Sequence, residues 1–189
     1  MRSSFSGRIF LLLFLVLTLL VVASPAAQSQ ASGNASRAGL ADRIRITPPP
    51  QAGLSVHTST TRGIYSSGDR LSVGLSIHNP GVDAIVDFYF GVLLADGVSV
   101  LSFTGESLQI SLCSLADLRT LRPYAEDQDL LTPFTVEQSE IFSYVWSGSE
   151  PAGTYAIFFL VAWTGALNDN ILDPEEIVAA DVTFFSFAP

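Results

Sequence analysis

Leu71-Ser72-Val73-Gly74-Leu75-Ser76-Ile77-His78-Asn79 decides the fold class. Its four apolar side chains, Leu71, Val73, Leu75 and Ile77, fall on alternate positions with small or polar residues between them. Successive side chains of an extended strand point to opposite faces, so this spacing makes one dry face and one wet face. Asn79-Pro80-Gly81 ends the run in a turn. The pattern then repeats. From Ala84 to Ala95, the residues Ala84, Val86, Phe88, Phe90, Val92 and Leu94 share a face; Asp96-Gly97 breaks it as a hairpin turn, and Val98 to Phe103 returns.

Four further segments, Leu54 to Thr60, Ile141 to Trp146, Thr154 to Trp163 and Val178 to Phe187, bring the count to about seven strands. Periodicity alone does not separate Thr154 to Trp163 from a buried helix. Its glycine boundaries and its β-branched and aromatic content decide for strand. Tyr155 to Trp163 is apolar throughout, so both of its faces avoid water. One row is Tyr155, Ile157, Phe159, Val161 and Trp163, and the other is Ala156, Phe158, Leu160 and Ala162. Only one row can face a core between two sheets; the other requires a cover, either from this chain or from a partner. Residues 104–133 offer one. Leu108, Leu112, Leu115, Leu118 and Leu121 recur there at helical spacing, and Ser114 with Asp117 suits a helix start. The expected class is all-β: an antiparallel two-sheet sandwich of about seven strands with a short helical insertion lying over the apolar strand.

The flanking segment reads differently. Arg2 and Arg8 precede the uncharged apolar run Ile9 to Ala23, and small residues follow, which is the order of a signal peptide over residues 1–27. Residues 28–52, rich in Gln, Ser, Ala and Gly and ending in Pro48-Pro49-Pro50, read as a disordered Pro/Ser/Gln-rich linker that tethers a domain at 53–189. Asn34-Ala35-Ser36 matches the glycosylation acceptor pattern. The protein is expected to be exported: extracellular, periplasmic or on the cell surface.

Beyond residue 52 there are four arginines, no lysine and seventeen acids, a net charge near −13. A surface of that sign repels phosphate backbones and anionic lipid, so no nucleic-acid partner is expected, and no membrane contact beyond the signal peptide. The single cysteine, Cys113, excludes an intrachain disulfide, and its leucine-flanked setting reads as a buried, inert thiol. The core alone must therefore hold the sheets together.

Tyr65-Ser66-Ser67-Gly68-Asp69, the alternating run to Ile77, and Asn79-Pro80-Gly81 together resemble the second-strand region of bacterial extracellular immunoglobulin-like modules. Pro151-Ala152-Gly153-Thr154-Tyr155 is similar to the lead-in to their later central strand. The resemblance spans roughly residues 54–189 and implies an immunoglobulin-like sandwich without implying a reaction. In similar folds a tyrosine at that place bonds its hydroxyl to upstream backbone, a role that falls to Tyr155 here.

No catalytic residue, cofactor ligand or metal ligand is assigned. His57 and His78 fall on solvent-facing strand positions, and no nucleophile elbow occurs. Asn168-Asp169-Asn170 and Asp173-Pro174-Glu175-Glu176 hold many oxygen ligands but lack the spacing of a calcium loop; an Asx turn followed by a capped turn describes them better. Glu126-Asp127-Gln128-Asp129 reads as a solvated loop. The expected role is a non-catalytic, monomeric module acting through a protein or surface partner. Two alternatives stand beside it: a small-ligand or carbohydrate module using Trp146, Trp163, Tyr144 and Tyr89 for stacking, and a secreted enzyme inhibitor. Exported material is expected to lack residues 1–27, and N-terminal sequencing that starts at Met1 would overturn the signal-peptide reading.

Overall fold

The computed structural model describes residues 53–105 and 109–189, so the signal peptide, the linker and Leu108 lie outside the described residues. Ten strands follow one another: β1 (Ser55–Thr60), β2 (Ile64–Tyr65), β3 (Arg70–Asn79), β4 (Ile85–Leu93), β5 (Ser99–Thr104), β6 (Gln109–Ser114), β7 (Ala125–Asp129), β8 (Phe134–Val145), β9 (Gly153–Trp163) and β10 (Ile177–Phe187). They form two sheets. The small one has the order β1-β3-β8. The large one runs β2-β10-β9-β4-β5-β6, with β7 sharing one edge of β4 with β5. Every pairing is antiparallel except that of β2 with β10. With β9 between β10 and β4, and β5 and β6 added beyond, the order is that of an immunoglobulin-like sandwich.

The strand count and the insertion depart from expectation. The 104–133 segment holds no α-helix among its described residues. It contributes strands β6 and β7, with a 3₁₀ turn at Leu118–Thr120 between them. Leu112 and Leu115 are exposed, Leu118 is half-buried and only Leu121 is buried. A leucine at every third or fourth position also fits a strand when Ile110 and Leu112 alternate with Ser111 and Cys113. The ladder to β5, from Ser99↔Ser114 to Thr104↔Gln109, then partners the backbone in a way an isolated short helix does not. Likewise Glu126 to Asp129 is not a loop; it pairs with β4 as strand β7.

The alternating run at Leu71 builds the core it promised. Leu71, Val73, Leu75 and Ile77 are buried on the inner face of β3, opposite Val86, Phe88, Phe90 and Val92 of β4 and Tyr155, Ile157, Phe159 and Val161 of β9. Two groups of rings join the sheets. In one, Phe103 lies 4.9 Å from Phe142 of the small sheet and 4.9 Å from Phe90. In the other, Trp146, just past β8, stacks on Phe187 at 4.4 Å and meets Tyr155, Phe185 and Tyr65. The indole N–H of Trp146 is the one buried side-chain polar atom without a partner among the described residues. With Tyr144 edge-on at 5.4 Å, five rings pack around the indole.

The second row of β9 is also dry: Ala156, Leu160 and Ala162 are buried and Phe158 is half-buried. The Phe158 ring lies across Gly91 of β4, where a Cβ would stand only 2.7 Å from it. Coverage of this outer face comes from loops rather than from a leucine stripe. After β6 the chain turns back over it. Ser102 Oγ donates to Arg122 O at 2.9 Å and Cys113 Sγ to Thr120 O at 2.8 Å. From the other side the 164–170 loop bends in, and its Asn170 side chain accepts the Leu118 N–H at 2.6 Å, tying the two covers together.

Tyr155 occupies the corner ahead of β9. It is buried, its ring stacks on Phe185, and its hydroxyl donates to Pro151 O at 2.5 Å. Tyr155→Phe keeps the ring and leaves that carbonyl unpaired, so a loss of about 1–3 kcal/mol is expected. Equilibrium denaturation checks it: an unchanged midpoint would remove the corner from the list of stabilising contacts.

Candidate functional site

Two buried carboxylates are the natural places to look for chemistry, and both serve the scaffold. Asp87 sits on the outer row of β4. It accepts the Asp127 N–H at 3.0 Å, the Gly165 N–H at 3.1 Å and the Tyr89 hydroxyl at 3.4 Å. Asp127 and Gly165 both have positive φ, 52° and 78°, which turns each N–H inward onto the carboxylate. Burial and then the Asp87 charge push the Tyr89 phenol well above its ordinary value, so it remains a donor. One carboxylate thus pins β7 and the β9–β10 loop to the central strand.

Glu150 does the same at the other end of the sandwich. It accepts the Ser147 N–H at 2.9 Å, the Ser147 hydroxyl at 2.8 Å, the Gly148 N–H at 2.8 Å and the Tyr144 hydroxyl. Burial raises the carboxyl pKa, but these donors outweigh it and the pKa ends below its ordinary value. Tyr144 responds in the opposite sense, raised by burial and by the neighbouring charge.

The side chains singled out in the sequence are not brought together. His57 and His78 are exposed, on β1 and β3; their nearest polar neighbours are Asp181 at 3.4 Å and Thr135 at 3.2 Å. Cys113 is buried, and burial pushes its thiol up, away from the reactive thiolate. Trp146 and Trp163 stand at opposite ends of the sandwich, Trp146 inside the core beside Tyr144 and Tyr89 held by Asp87. The four aromatics therefore form no stacking platform. In the 168–176 segment, Asp169 accepts the Ile171 N–H and Glu176 the Asp173 N–H, both at 2.9 Å, in the Asx turn and capped turn expected there. Among the described residues no group of three or more His, Cys, Asp or Glu side chains is gathered as a metal site requires.

What the architecture leaves open is a surface. β1 lies against β10, where Asp181 accepts the Thr58 N–H at 2.6 Å, and β8 lies over β5 through Phe142 and Phe103. Three strands cannot cover seven, and among the described residues β6 has no strand opposite its inner face. Ile110 is half-buried there, and Leu112 keeps 50% of its surface exposed. Beside this floor stands β8, paired among the described residues only with β3, its other edge free of any described strand. Glu137 and Glu140 project from the solvent side of β8, where they accept the Ser76 and Ser72 hydroxyls, and Val145 on the same side is 37% exposed. Floor and edge make a notch. No single segment signals it, because it depends on how many strands each sheet receives.

No family model matches the chain, and no curated protein matches it. Among solved structures it is similar to the alkylpurine DNA glycosylase AlkC of Pseudomonas fluorescens bound to DNA containing an abasic-site analogue. That match has 8% identity and a TM-score of 0.35, over 74% of this chain and 31% of that one. It is also similar to the sporulation control protein Spo0M of Bacillus subtilis, with 9% identity and a TM-score of 0.32 over 73% and 50% of the two chains. A third is a CARDB domain from Pyrococcus furiosus in complex with di-metal ions, with 10% identity and a TM-score of 0.33 over 73% and 90%. The chain spans about a third and a half of the length of the first two.

Glu150 gives a pH test. A carboxylate whose folded pKa lies below its unfolded value adds stability above the unfolded value, and that contribution is lost as pH falls through the folded one. Stability is expected to fall as pH drops below about 4.5, the group's ordinary value, with Glu150 contributing to the slope. Glu150→Gln is expected to lose about 1–3 kcal/mol near neutrality and to show a shallower acid slope. Thermal melts of both proteins across that range check it, and parallel slopes would sink the assignment.

Proposed function

We propose that this protein is a non-catalytic module of the cell envelope or exterior that works by contact with another protein or surface. The observation carrying this reading is the notch: apolar side chains of β6 lie open beside an unpaired strand edge, on a domain whose two buried carboxylates are engaged in holding loops. An unpaired edge next to exposed apolar side chains is a common template for association. The signal-peptide pattern and the proline-rich spacer support export, since they suit a domain held away from an anchoring or release point. As an exported module the domain acts as a monomer that engages its partner through one side.

A photoreactive amino acid at position 112, in cells that make the protein, tests the reading against a control at His57 on the far edge of the small sheet. The expected result is discrete adducts from position 112 and none from position 57. No adducts from 112, or equal labelling from both, would overturn the contact reading. So would turnover of ester, glycoside or peptide substrates that Asp87→Asn or Glu150→Gln abolishes.

A further inference from the structure

We propose that the notch between β6 and β8 takes an extended segment of a partner protein in which basic and apolar residues alternate, added as a fourth strand to the small sheet. The proposal rests on the contact reading above and names its chemistry. The free edge of β8 presents backbone N–H and C=O groups that only another extended backbone can pair in series. A strand there has two rows of side chains. The inward row lands on Ile110 and Leu112, which favour apolar residues. The outward row stands beside Glu137, which favours arginine or lysine, while Glu140 next to it is already paired with Arg70 at 2.8 Å.

The other edges suit this partner less well, and the edge of β6 carries no carboxylate to draw a basic strand. β1 is fastened to β10 by the Asp181 carboxylate, and β2 is two residues long. β7 bears Glu126, Asp127 and Asp129 on a backbone turned at the positive φ of Asp127, which interrupts pairing in series. A second copy of this chain is a poor occupant, because two acidic edges would meet and the domain carries a net charge near −13. Charge and exposed apolar area coincide at β8 and β6.

The test uses the full chain and a short synthetic peptide alternating arginine with valine, beside a peptide of the same composition with its arginines and valines in separate blocks. Purely electrostatic attraction to an acidic protein binds both equally. The expected result is about tenfold tighter binding of the alternating peptide, with amide-exchange protection appearing along residues 134–145. Leu112→Glu is expected to remove that preference while leaving the thermal midpoint unchanged, since the side chain is half exposed. Glu137→Gln is expected to weaken binding severalfold and to flatten its salt dependence. Equal binding of the two peptides, or an alternating-peptide preference that survives in Leu112→Glu, overturns the proposal. Adducts from position 112 together with an absent peptide preference would reject the strand while leaving the contact reading intact.

Discussion

The packing of Trp146 against rings from the large sheet is the interaction on which the rest depends. With one cysteine no disulfide can tie the sheets, so their separation and alignment are set by side chains alone. Trp146 follows the last strand of the small sheet yet contacts Tyr65, Tyr155, Phe185 and Phe187, which come from three strands of the large one. A large flat ring stacked at 4.4 Å on Phe187 holds the sheets at a fixed distance. The backbone reinforces the position: Trp146 N–H donates to Asp69 O and its carbonyl accepts the Gly68 N–H. The same tryptophan is therefore unavailable as a ligand platform, although an indole near aromatic neighbours suggests one in the sequence.

Polar groups follow the same economy. Asp87 and Glu150 each convert two backbone N–H groups from solvated donors into fixed ones, and each sits near one end of the sandwich. A buried carboxylate with this many donors is a structural element, because removing it leaves those donors unpaired. Leu118 N–H reaching Asn170 extends the pattern, since it links two loops that reach the outer face from opposite directions.

How far the sequence revealed the fold depends on where each strand's partners lie. β3, β4 and β9 are flanked by strands on both edges for most of their length, β10 on one, and all four have one face on the core, so their alternation is strong and their boundaries fall within a few residues of expectation. β8 begins at Phe134, well before the expected Ile141, because Thr135 to Glu140, the half-buried Val136 apart, is polar and exposed and gives no burial signal. β6 and β7 went unrecognised for the same reason. As edge strands they bury little, and the leucines of one and the acids of the other imitate a helix and a loop. Tyr155 was legible because its corner is local, four residues long from hydroxyl to carbonyl. The notch was not, because it arises from a difference between two sheets and no segment contains it.

That difference has one source. The inserted segment between β5 and β8 adds β6 and β7 to the large sheet and nothing to the small one. Its return path closes the outer face over Ser102 and Cys113, while its first strand carries Ile110 and Leu112 past the reach of β8 on the inner face. The same residues that complete one side thus leave the other incomplete. An exposed apolar edge of this kind invites unselective pairing, and proteins usually blunt it with charge and bulges. Both devices are present here: β8 bulges at Ser139 to Ile141, and Glu137 and Glu140 flank the bulge. They leave the edge free of a partner strand but raise the cost of an acidic or neutral one. Repulsion of unsuitable strands and attraction of a basic one are then the same electrostatic property, and this is how an exposed edge gains selectivity without a deep pocket.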